Sequence, residues 1–147
     1  MRRRRILRLL LDTHVLIWAI GEPSRLGERT RAAVASPANQ VLVSAATAWE
    51  IAIKHALGRL TFPVDRFEEV LQRMGFDPLP VQLPHAIAAG RLPRHHDDPF
   101  DRMLIAQALT DGLTLATIDG AMARYDVPVL ADCRAIALQN SARRRAR

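Results

Sequence analysis

Four acidic residues stand where a carboxylate needs an explanation: Asp12, Glu50, Asp101 and Asp119. Asp12 ends the run Ile6-Leu7-Arg8-Leu9-Leu10-Leu11, and Asp119 follows a second apolar run in Thr117-Ile118-Asp119-Gly120. If both runs are central parallel strands, their carboxylates meet at one sheet edge. Glu50 shares a helical face with Ala46, Ile53 and Leu57, an apolar stripe on which a carboxylate is costly to bury without a partner. Asp98 and Asp101 open the string Asp98-Pro99-Phe100-Asp101-Arg102, and their i, i+3 spacing lets them share one helical face. Carboxylates gathered within a few ångströms repel one another and raise one another's pKa. A hard divalent cation removes that penalty, and oxygen donors without a His/Cys cluster suit Mg2+ or Mn2+. Such an ion beside a phosphate permits metal-assisted phosphodiester hydrolysis.

Taken singly, each acid also has a plain structural role. Asp12 and Asp119 are suited to cap the helices that follow them, and Asp98 before Pro99 is a strong N-cap signal. Asp101 then suits the positive end of the helix dipole. Lys54 stands four residues after Glu50, as its ion-pair partner or as a phosphate contact. It is the convergence of all of them on one patch that points to chemistry.

The elements that must bring them together are legible as alternation. Short apolar runs at 6–11, 41–44, 113–117 and 127–130 read as buried strands, with a weaker one at 76–79. Between them lie helical patterns at 13–19, 25–35, 45–57, 64–74, 81–89, 98–110 and 121–125, several closed by glycine at Gly58, Gly75, Gly90 and Gly112. Strands alternating with helices predict an α/β layered fold with a parallel sheet, whose ligand site lies at the carboxyl ends of the strands.

Composition agrees with one such domain. The chain has 147 residues, 49% hydrophobic and 24% charged, enough to fill a core and too apolar for disorder. Aromatic residues are only 5%, so the core must be mainly aliphatic. Trp18 and Trp49 sit in helical apolar patterns and read as core. The basic start followed by apolar residues resembles a signal peptide, but Arg8 interrupts it and Asp12 ends it, so 6–12 reads as the first strand. No apolar run reaches the roughly 18 residues that cross a bilayer, so no membrane association is expected. A single cysteine, Cys133, excludes an internal disulfide and a cysteine zinc cluster, and suits a cytoplasmic setting. The net charge is +6, yet Arg2–Arg5 together with Arg143, Arg144, Arg145 and Arg147 supply eight positive charges, so the rest is net acidic. Those arginine tails are either solvated or weakly attracted to nucleic acid.

Leu10-Leu11-Asp12-Thr13-His14-Val15-Leu16, Ser44-Ala45-Ala46-Thr47-Ala48-Trp49-Glu50-Ile51-Ala52, His95-His96-Asp97-Asp98-Pro99-Phe100-Asp101-Arg102-Met103-Leu104-Ile105-Ala106-Gln107-Ala108 and Leu115-Ala116-Thr117-Ile118-Asp119 resemble the four motifs of PIN-domain proteins. More narrowly they resemble the VapC-type toxins of bacterial toxin–antitoxin pairs, over about residues 7 to 138. The resemblance implies a three-layer α/β/α sandwich with a central five-stranded parallel sheet in a domain at 6–138, between a basic extension at 1–5 and a basic tail at 139–147. It implies an Mg2+-dependent endoribonuclease, with Mn2+ able to substitute, a homodimer, an RNA substrate and a cognate VapB-like antitoxin. Its acidic set is Asp12, Glu50, Asp101 and Asp119, with Asp98 as a fifth metal ligand. Thr13, Ser44 and Thr117 match positions that support the acids. Arg102, Lys54 and His96 are candidate substrate contacts, and His95 stands beside His96 in the loop before the third motif. Two other readings compete. A phosphotransferase with an Asp after its first strand generally needs a second Asp two residues on, where His14 stands. A PIN relative that only binds RNA or a partner usually lacks one of the acids, and all four are present here.

Overall fold

Leu9, Leu10 and Leu11 are fully buried, although successive strand side chains point to opposite faces, so the first strand is covered on both sides. The computed structural model describes residues 6–95 and 97–131. It contains a five-stranded, all-parallel sheet in the order β3-β2-β1-β4-β5. The strands are β1 (Arg8–Leu11), β2 (Gln40–Ser44), β3 (Asp77–Leu79), β4 (Thr114–Thr117) and β5 (Val129–Ala131). The helices are α1 (Thr13–Gly21), α2 (Glu28–Ala35), α3 (Ala45–Ala56), α4 (Phe67–Met74), α5 (Leu83–Arg91) and α6 (Pro99–Asp111).

Two aliphatic cores flank the sheet. Leu9 and Leu11 of β1 pack with Val41, Val43, Val15, Leu16, Ile51 and Leu71 on one side. Leu10 packs with Leu42, Leu104, Ile105 and Leu115 on the other. This is the expected three-layer sandwich. The strand order reverses at β1, the kind of switch point at which open parallel sheets form a crevice for ligands.

Several boundaries differ from the sequence reading, each for a local reason. The first strand starts at Arg8, because Ile6 is exposed and the Leu7 N–H is bound by the Asn39 side chain. The 25–35 pattern breaks into a 3-10 turn (Pro23–Arg25) and α2, separated by extended backbone at Leu26 and Gly27. The 64–74 pattern likewise divides into a 3-10 turn (Val64–Arg66) and α4. The last short helix is a 3-10 turn, Gly120–Tyr125. Gly75 and Gly112 do end helices with left-handed backbone, φ 72° and 68°. Gly90 does not, for α5 runs through it to Arg91 and its last carbonyls find another partner, described below. The arginine tails, Cys133 and the final part of the predicted domain, to residue 138, lie outside the described residues.

Candidate active site

Register decides where the first acid goes. Leu11 of β1 aligns with Ala116 of β4, and the Asp12 N–H donates to the Ala116 carbonyl at 2.9 Å. Asp12 thus leaves the sheet beside Thr117. Its Oδ1 accepts from the Val15 N–H at 2.8 Å and caps α1. Its Oδ2 accepts from the Thr117 hydroxyl at 2.5 Å and the Ile118 N–H at 3.2 Å. The capping role and the site role coexist in one side chain.

Ser44 ends β2 and caps α3, accepting from the Ala46 N–H at 3.0 Å. Its part is therefore to fix the start of the helix that carries Glu50. That carboxylate is only 7% exposed. Oε1 accepts from the Thr13 hydroxyl at 2.5 Å, and Oε2 lies 2.8 Å from the Lys54 ammonium. Lys54 is thus the ion-pair partner of Glu50. Asp98 caps α6 through the N–H groups of Phe100 and Asp101, both on Oδ1. Pro99 at the first helical turn loses nothing by lacking an N–H. Asp119 caps the closing 3-10 turn through the Ala121 N–H, and its own N–H donates to the Thr117 hydroxyl.

These residues line one pocket. Asp12, Thr13, His14, Glu50, Lys54, Asp98, Asp101 and Asp119 surround a space of about 220 Å³, with Ile118 and Met122 as its apolar wall. The electrostatics follow from that crowding. Burial raises the Asp101 carboxyl to about 7, and the charges of Asp98, Asp12, Glu50 and Asp119 push in the same direction. Asp12 is also raised, by its burial, against the opposing pull of its hydrogen bonds and of His14. Among the described residues no group of three carboxylates, imidazoles or thiols is arranged to hold a metal ion by itself. The pocket's donors are all oxygens apart from His14 and Lys54, the type that suits a hard cation retaining part of its water shell.

Not every candidate belongs to this pocket. Arg102 was a candidate substrate contact, but its guanidinium donates to the carbonyls of Pro93, Ala89 and Leu92, all at 2.9 Å. It closes the end of α5, the task that Gly90 does not perform. His95 packs edge-on against Tyr125, with ring centroids 4.8 Å apart. His96 lies outside the described residues. Trp18 packs against the core beneath Arg25, whose guanidinium sits 4.5 Å over the ring. Trp49 corrects the sequence reading, for it is 64% exposed. His14 is the site residue that sequence reasoning passed over. Its place one residue after Thr13, on the first turn of a helix starting at the sheet edge, was the available signal.

A family model described as PIN domain matches residues 9–128. Among solved structures, VapBC2 from Rickettsia felis, bound to a DNA fragment from its promoter, superposes with a TM-score of 0.63 at 12% identity, covering 85% of this chain and 98% of that one. DNA-bound VapBC from Salmonella typhimurium gives a TM-score of 0.60 at 20% identity, covering 87% and 100%. FitAcB from Neisseria gonorrhoeae gives 0.57 at 25% identity, covering 84% and 97%. No curated protein matches the chain by sequence.

Proposed function

This chain belongs to the PIN domain family, and on that premise we propose that it is a metal-dependent endoribonuclease acting as the toxin of a bacterial toxin–antitoxin pair. The observation that carries the reading is the pocket. Acids from the ends of β1 and β4, from α3 and from the start of α6 line one small space, and their crowding helps raise Asp101 to about 7. A structure that needs only caps has no use for such a concentration of charge.

Asp12, Asp101, Asp119 and Glu50 would hold Mg2+ or Mn2+, directly or through water, with Asp98 at the rim. When bound, such an ion lowers the pKa of water and offsets charge building on the phosphoryl oxygens. The chain's own groups do the positioning. Thr117 and the N–H groups of Val15 and Ile118 hold the Asp12 carboxylate in one orientation. Thr13 and Lys54 orient Glu50, which completes the oxygen set or accepts the proton of the attacking water. Ile118 and Met122 restrict access of bulk water from one side. In-line attack on phosphorus then leaves a 5′-phosphate and a 3′-hydroxyl.

The likeness to VapBC and FitAcB supports a VapB-like antitoxin as partner, and the resemblance of the four motifs implies a homodimer as the working unit. No helix among the described residues is long and apolar enough to cross a membrane; the cytoplasmic setting follows from the toxin reading, whose RNA target lies there.

The test is cleavage of RNA by the purified chain with Mg2+, with Mn2+ and with a chelator. Cleavage should require the ion, and Asp12→Asn should abolish it while the circular dichroism spectrum is retained. Cleavage in chelator, or by Asp12→Asn at the parent rate, overturns the mechanism. Expression alone should arrest a bacterial host, and the adjacent small open reading frame should relieve the arrest. Harmless expression of a metal-active protein removes the toxin role and leaves the nuclease.

A further inference from the structure

Beside the acidic pocket lies a second cavity of opposite character. It measures about 360 Å³ and is lined by Ala45, Ala46, Trp49, Val81, Phe100 and Met103, with Pro99 at its edge. Most of its lining comes from α3 and α6, the helices that carry Glu50 and Asp101. Trp49 directly precedes Glu50 on α3, and Phe100 directly precedes Asp101 on α6. The two rings meet edge to face, with centroids 5.3 Å apart and planes inclined at 69°. That contact steadies the indole on one side, while 64% of Trp49 remains exposed to solvent. A tryptophan held by a neighbouring ring yet largely open is an expensive surface for water to cover.

A nucleotide pairs a charged phosphate with a flat apolar base a few bonds away. The two adjacent cavities repeat that pairing, one polar and acidic, one apolar and aromatic. We propose that the apolar cleft bordered by Trp49 and Phe100 receives the unstacked base of a nucleotide flanking the scissile phosphate of single-stranded RNA. The base lies against the open indole face, and the backbone then crosses from the aromatic cleft to the acids. A stacking platform accepts any base, because every base has a π-face. The cleft therefore selects an unpaired strand rather than a particular letter, and a base stacked within a duplex is excluded from it. The inference deepens the ribonuclease reading and rests on it.

Two measurements test the cleft. In the first, Trp18→Phe leaves Trp49 as the sole indole and Asp12→Asn prevents turnover. Single-stranded oligoribonucleotide should then quench its fluorescence. An abasic nucleotide walked along the strand should weaken binding at one position by about tenfold or more. In the second, Trp49→Ala should lower kcat/KM on RNA by about tenfold or more, with Trp49→Phe recovering part of the loss. On the strand carrying the abasic nucleotide at that position, parent and Trp49→Ala should cleave alike. Trp49→Ala cleaving intact RNA at the parent rate overturns the proposal. So does a sole-tryptophan signal that responds to protein concentration and not to RNA, which would give the indole to a second copy of the chain. If the parent cleaves no RNA with either ion, the ribonuclease reading fails, and the quench, which needs no turnover, still decides the cleft.

Discussion

The Thr117 hydroxyl donates to Asp12 Oδ2 across 105 residues of chain. It lies in the seam between β1 and β4, and both residues are almost fully buried. The bond joins the two strands whose ends deliver Asp12 and Asp119. Replacing Thr117 by Val keeps the shape and removes the donor. Thr117→Val should lose about 1–3 kcal/mol of stability, the usual cost of leaving a buried polar group short of a partner. The same change should weaken Mn2+ binding and RNA cleavage together. Chemical denaturation and metal titration read both quantities, and parent-like values in both would show that the seam does not orient Asp12.

Asp101 sets a pH dependence of unusual sign. Its folded pKa of about 7 lies above the ordinary 3.8. Between those values the folded state binds more protons than the unfolded one, so stability falls as pH rises. Metal-free protein should therefore gain thermal stability from this group as pH is lowered from 8 toward 5. Asp101→Asn should flatten that profile and raise the melting temperature at pH 8, while abolishing cleavage. Added Mg2+ should stabilise the parent more at pH 8 than at pH 6, because the ion competes with the proton for the carboxylate. A parent melting temperature that rises from pH 6 to 8 without metal, and an Asp101→Asn variant less stable than the parent, would contradict the crowding argument.

Lys54 holds Glu50 at 2.8 Å, inside the same pocket that the proposed ion would enter. A fixed ammonium opposes a divalent cation and competes for the carboxylate. Lys54→Met should tighten Mn2+ binding several-fold in the absence of RNA. Calorimetric titration checks the direction, and weaker binding would mean that Lys54 is needed to shape Glu50 for the ion.

Arg102 is spent on the end of α5. Arg102→Gln should cost about 1.5–3 kcal/mol, the range for hydrogen bonds involving a charged group. Cleavage by the molecules that remain folded should stay near the parent rate. A large fall in kcat at a temperature where the variant is fully folded would return Arg102 to the substrate.

The sequence already contained the parts of the site that are local. Asp12 and Asp119 declare themselves as acids following apolar runs, Glu50 as an acid on an apolar stripe, and Asp101 as the second of two acids spaced i, i+3 at a helix start. The parallel sheet follows from strands that are apolar on both faces, as at Leu9–Leu11. What sequence periodicity does not carry is the side on which a residue meets another element. Trp49 lies in an apolar helical pattern, yet it meets the Phe100 ring at the surface and stays largely exposed. Arg102 next to Asp101 invites a phosphate role, and only the path of α5 shows three carbonyls waiting for it. His14 was legible as a neighbour of Asp12 but lacks the apolar context that marks the acids.

The pairing of Leu11 with Ala116 has a consequence in time. A chain still emerging from the ribosome exposes Asp12 and Glu50 early, but β1 stays without its β4 neighbour until more than a hundred residues have been made. Long-range parallel pairing forms slowly, after the loop it closes has been ordered. On the ribonuclease reading, a nascent or truncated product that lacks β4 has no assembled pocket and should not cut RNA.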